Sequence, residues 1–133
     1  MSTPEIVLCA PVRTAIGTYN GTLKNTPATT LGAVVVRETL SRAKLDPAKV
    51  QTLVFGQVIQ AGSKMNPSRQ AALGGGLPVE TPAMTVNRVC GSGAQAVASA
   101  ALEIMAGQIE CAIAGGMENM DMAPYLLPAG RWG

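Results

Sequence analysis

The residues best placed to do chemistry stand together in Asn87-Arg88-Val89-Cys90-Gly91-Ser92-Gly93. One thiol is followed by two glycines and then by helix-favouring residues from Ala94 to Ala106. A short apolar run, Ala83 to Val86, comes just before it, after Thr81-Pro82. The pattern predicts a strand, a tight turn and a helix, with Cys90 on the turn. Unpaired N–H groups and the positive end of the helix dipole favour a thiolate there, and the thiolate is the reactive form of cysteine. The chemistry on offer is nucleophilic attack by sulfur.

Two other readings fit the same stretch. Free cysteine commonly packs as a small apolar residue, and spacing alone leaves that reading level with the first. Gly91-Ser92-Gly93-Ala94-Gln95-Ala96 also satisfies G-x-G-x-x-A, a nucleotide-binding pattern, with Glu118 beyond the next strand where a ribose-binding acid would stand. That pattern follows the third predicted strand and not the first, so a nucleotide-binding α/β domain is the alternative. Gly74-Gly75-Gly76 has no Lys-Ser or Lys-Thr after it, so it reads as a helix stop and not a phosphate loop.

The supporting groups for sulfur chemistry are missing. The chain has no histidine, the usual base for a cysteine nucleophile. Its three cysteines, Cys9, Cys90 and Cys111, form no C-x-x-C pair, so no metal site or disulfide framework is expected and a reducing cytoplasm is the default compartment. Cys9 and Cys111 are assigned to packing. Either Cys90 is inert or its base lies in sequence outside these residues.

The elements that must position Cys90 alternate along the chain. Glu5 to Ala10 reads as a strand buried on both faces, and Asn20-Gly21 marks a turn in the polar loop behind it. A helix capped by Thr29 or Thr30 is expected to run to about Leu45, with Ala33, Val36, Leu40 and Ala43 on its inner face. Val50 to Ile59 contains the second strand, and Asn66-Pro67 opens a short helix through Leu73. Thr81 to Val86 is the third strand and Ala112 to Ala114 the fourth. Strand–helix alternation implies a parallel sheet. Arg69 and Gln70 read as surface residues, and Met117, Met120 and Met122 as gap fillers.

The helix after Cys90 carries its polar residues, Ser92, Gln95, Ser99 and Glu103, on one narrow line and is apolar around the rest. Such a helix needs neighbours on most sides, so a second layer is expected over its outer face. The 133 residues are 47% hydrophobic and only 3% aromatic, enough for one core built from small aliphatic side chains. A net charge of +2 with 14% charged residues offers no basic stripe for nucleic acid, and no apolar run is long enough to span a membrane.

Asn87 to Gly93 resembles the thiolase family, enzymes that make or cleave 3-oxoacyl-CoA thioesters. Val12-Arg13-Thr14-Ala15-Ile16-Gly17, Gly56 to Gly62, Asn66 to Ala72 and Ala114 to Tyr125 are similar to family segments in family order, so the resemblance covers nearly the whole chain. It implies an α/β fold, the N-terminal half of a layered αβαβα arrangement, with a mostly parallel sheet and the helix after Cys90 buried centrally. It implies a core domain over 1–122 and the start of a loop domain over 123–133. It also implies that Cys90 accepts the acyl group, with its own backbone N–H helping to hold the oxyanion. The activating histidine and a second cysteine would come from the other half of the protein. No resident cofactor or metal is expected; the substrates would be coenzyme A thioesters, the partners the C-terminal half and further copies in a homodimer or homotetramer. A third reading, a non-catalytic assembly module, predicts an unreactive Cys90.

Overall fold

The computed structural model describes residues 5–133; the first four residues of the expected 1–122 domain lie outside them. Three parallel strands, β1 (Thr52–Gly56), β2 (Ala83–Val86) and β3 (Ala112–Gly116), form a sheet in the order β2-β1-β3. In register, Leu53 stands between Ala83 and Ile113, and Gly56 between Val86 and Gly116. All five residues of β1 are buried, which is why it reads as an unbroken apolar run. Its side chains alternate between two cores: Leu53 and Phe55 face one side, Val54 the other.

On the first side lie α1 (Ala28–Ala43) and α2 (Pro67–Gly75), which pack on each other through Val36, Leu40, Ala71 and Ala72. Burial of Leu53 or Phe55 in this cluster is worth roughly 1.5–3 kcal/mol each. α1 starts on Pro27 with no side-chain cap, not on Thr29 or Thr30, and Lys44 closes it in the left-handed conformation. α2 matches its signals: Asn66 caps it, Pro67 opens it and Gly76 ends it at φ +97°.

Arg69 and Gln70 are not simple surface residues. The Arg69 guanidinium donates to the Thr81 and Val79 carbonyls, and the Gln70 amide donates to Ser63 and Met65, so both tie down loops around α2. Met117 is buried, whereas Met120 and Met122 are exposed.

The other face of the sheet carries α3 (Ser92–Met105), seated through Ala96 and Ala100 on Val54, Ala112 and Ala114. Only one side of α3 is covered. Leu102 is 60% exposed and Met105 is 48% exposed. Ser92, the first residue of the polar line, is buried on the sheet side. Within these residues α3 is therefore a one-sided helix whose apolar outer face is open.

The expected strand over Glu5–Ala10 does not form. The outer edge of β3 is open in the order β2-β1-β3, yet residues 5–12 carry no ladder to it; Val7 and Leu8 are exposed, and Ala10 takes φ +50°. The segment is separated from β3 by an apolar cleft of about 530 Å³, walled by α1 and α3. With that gap the backbones cannot meet, and an apolar run without a partner strand remains irregular. Cys9 is accordingly exposed and not packed in a strand. No helix among the described residues is long and apolar enough to cross a membrane.

Candidate active site

Cys90 stands where β2 becomes α3, one residue before the helix cap Gly91, and is exposed. The turn is closed by backbone hydrogen bonds from Gly91 N–H to the Arg88 carbonyl, 3.1 Å, and from Ser92 N–H to the Val89 carbonyl, 3.1 Å. Val89 occupies its second position at φ +50°. Turns with a positive φ there favour Gly, Asn or Asp. A β-branched residue in this region is a genuine outlier, costing on the order of 1–3 kcal/mol.

Side chains hold that conformation. The Ser92 hydroxyl donates to the Val89 carbonyl at 2.6 Å and accepts from the Arg88 N–H at 2.8 Å. Asn87 Oδ1 accepts from the Val89 N–H at 3.0 Å, while its amide donates to the Val58 carbonyl at 3.1 Å. Val58 and Ile59 in turn donate their N–H groups to Glu118 Oε2, at 2.7 and 3.2 Å. The turn is thus tied to the loop after β1 and through it to the end of β3. Of the N–H groups from Arg88 to Ser92, that of Cys90 alone finds no acceptor among the described residues.

Beneath the turn, the backbone of Gly56 touches α3: a Cβ on residue 56 would lie 2.6 Å from Ser92 Cβ. Arg88 leans along the helix and donates to Gln95 Oε1 at 2.6 Å. What the arrangement can do is present a thiol and a free N–H together at a helix N-terminus, a geometry in which a carbonyl attacked by sulfur meets a hydrogen-bond donor for its oxygen.

Glu118 does not fit the ribose-binding part of the nucleotide pattern. Its Oε2 is engaged by two backbone N–H groups, while its buried Oε1 has no protein partner. Gly93 packs against Gly115 and Gly116 of β3, serving close contact between helix and sheet. Cys111 lies apart on the cleft beside β3, where burial pushes its thiol pKa up and nearby Cys9 adds to the shift. Among the described residues, no three Cys, Asp or Glu side chains converge as a metal site would require.

Asn87, Val89 and Ser92 belong to the stretch that carries Cys90, but the sequence gives none of them a role of its own there: Ser92 reads as the first of a line of polar helix residues. The available signal was offset: a short polar side chain just before and just after a turn is a common way to hold turn backbone.

The chain matches, over residues 6–133, the family described as "Thiolase, N-terminal domain". It is 50% identical over 129 residues to an acetyl-CoA acetyltransferase of Cupriavidus necator, covering 97% of this chain and 33% of that protein. It is 52% identical over 132 residues to beta-ketothiolase BktB of the same organism, covering 98% and 34%. An acetyl-CoA acetyltransferase of Escherichia coli is 51% identical over 123 residues, covering 92% and 31%. The chain thus spans about a third of the length of these curated relatives. A turn that presents Cys90 on a three-layer α/β domain, and a family match across nearly every residue, lead to one conclusion: the chain belongs to the thiolase family, as its N-terminal domain.

Proposed function

We propose that the complete protein transfers acyl groups between coenzyme A thioesters through an acyl-enzyme on Cys90. The observation that carries this reading is the pairing, in one turn, of an exposed thiol with an unengaged backbone N–H. In the first step the Cys90 sulfur attacks the thioester carbonyl. A new C–S bond forms, the bond to the coenzyme A sulfur breaks, and coenzyme A leaves with a proton. The negative charge that builds on the carbonyl oxygen is met by the Cys90 N–H.

In the second step the α-carbon of another acyl-CoA, once deprotonated, attacks the acyl-enzyme; a C–C bond forms and Cys90 departs as thiolate. The reverse sequence is thiolytic cleavage of a 3-oxoacyl-CoA. The base and its histidine belong to residues outside these 133, since none of them is histidine. Relatives named acetyl-CoA acetyltransferase and beta-ketothiolase support the substrate class. The open apolar face of α3 supports a further layer from the same polypeptide. That the complete protein is a cytoplasmic homodimer or homotetramer is part of the proposal: the oligomer rests on the family resemblance alone, the compartment on the cysteine pattern.

The test is incubation of the complete protein with acetyl-CoA labelled in the acetyl group. Label is expected on Cys90 and lost in Cys90→Ser and Cys90→Ala. Label that persists on the substituted proteins overturns the assignment.

A further inference from the structure

We infer that Ser92 and Asn87 are positioning residues for Cys90, acting together through Val89. The inference rests on Cys90 as the acyl acceptor. Val89 is gripped at both ends by side chains: Asn87 takes its N–H, Ser92 takes its carbonyl, and Ser92 also holds the preceding N–H of Arg88. The residue gripped this way is the one whose own side chain opposes its backbone conformation, at φ +50°.

Remove the grip and Val89 relaxes toward negative φ. The next peptide unit rotates with it, and that unit carries the Cys90 N–H. Thiol and oxyanion donor then no longer face one carbonyl.

Three features separate this role from ordinary capping or packing. The Ser92 hydroxyl bonds backward to residues 88 and 89 and not forward into α3, whose cap has no side-chain hydrogen bond. Ser92 is 4% exposed, so water cannot replace its hydroxyl. Asn87 is anchored separately, through Val58 to Glu118, so the two grips start from different parts of the sheet.

The experiment uses the complete protein and a rescue. Ser92→Ala is expected to lower kcat roughly 10- to 100-fold while KM stays within about threefold, since misplacing a reacting group damages the chemical step more than binding. Adding Val89→Gly supplies a residue that takes positive φ without steric opposition, and is expected to restore most of the lost kcat. Asn87→Ala provides the same pair of measurements at an exposed site, should Ser92→Ala fold poorly.

A kcat within twofold of wild type in both single variants overturns the inference. So does a loss that Val89→Gly does not recover, the pattern expected if the polar groups serve stability alone. Alkylation of Cys90 by iodoacetamide, read on the same variants, separates this from the function itself. If wild type takes no acyl label while alkylation still falls in Ser92→Ala and returns with Val89→Gly, acyl transfer fails and the positioning stands.

Discussion

Gly56 at the end of β1 lies so close under Ser92 that a Cβ on residue 56 would stand 2.6 Å from the Ser92 Cβ and 2.8 Å from the Gly93 nitrogen. The obstacles are backbone or the first side-chain carbon, and none can rotate away. Gly56→Ala is expected to lift the start of α3 off the sheet, costing about 1–3 kcal/mol and slowing acylation of Cys90. Chemical denaturation reads the first effect and labelled acetyl-CoA the second. Wild-type values for both would mean that α3 has room to spare at this contact.

Asn66 joins α2 to β2. Its Oδ1 accepts from the Arg69 N–H at 3.3 Å and the Thr85 hydroxyl at 2.9 Å, its amide donates to the Ala83 carbonyl at 2.9 Å, and its φ is +42°. Asn66→Ala removes all three bonds and keeps the backbone penalty, so a loss of about 1–2 kcal/mol is expected. Asn66→Gly loses the same bonds but tolerates the left-handed backbone, and its urea midpoint is expected between alanine and wild type. An alanine variant as stable as wild type would dismiss the cap.

Cys111 holds its proton more tightly than an unfolded cysteine, chiefly because burial disfavours the thiolate and secondarily because Cys9 is near. Its contribution to stability is therefore present below the unfolded pKa and fades as pH rises through the folded one. Alkylation of Cys111 is expected to reach half its maximal rate at a higher pH in the folded protein than in urea, with Cys9→Ser reducing the difference. Coincident pH–rate curves would show that the site is not desolvated.

The outer face of α3 makes a prediction that depends on what surrounds it. Leu102, 60% exposed on this domain, is expected to become buried under the second layer proposed for the complete protein. Leu102→Glu is then expected to cost at least about 2 kcal/mol in the complete protein, since it buries an unpaired charge. In the 133-residue chain alone it should leave stability nearly unchanged and raise solubility. Equal, small effects in both contexts would rule the second layer out.

Local signals were the legible ones. Asn66-Pro67 and Gly76 marked α2 because caps act within one helical turn, and the apolar run of β1 stands where it is read because a strand buried on both faces is apolar throughout; β2 and β3, the partly buried edge strands, also stand on their apolar runs. The same reasoning misplaced Glu5–Ala10: an apolar run says that a segment can be a strand, not that a neighbour has a free edge within reach. The place of Cys90, on a turn just before a helix, was legible from the glycines and helix formers that follow it. The network around it was not, because Asn87 meets Val58 and Glu118 meets Val58 across 29 and 60 residues of chain. Val89 gave no sign at all, since valine is among the last residues expected at positive φ.

The seat of α3 has a consequence for how much change this domain can absorb. Gly93, Ala96 and Ala100 rest on Val54, Val86, Gly56, Ala112, Ala114, Gly115 and Gly116, a contact of glycine, alanine and two valines. Larger residues adapt to a substitution by switching rotamers; a surface of glycine, alanine and stiff β-branched valine has little to rotate. Drift in sequence at this seam therefore moves the helix as a whole and the Cys90 sulfur with it. Evolution can retune what surrounds the thiol, but the sulfur's height above the sheet is fixed for as long as these residues stay small.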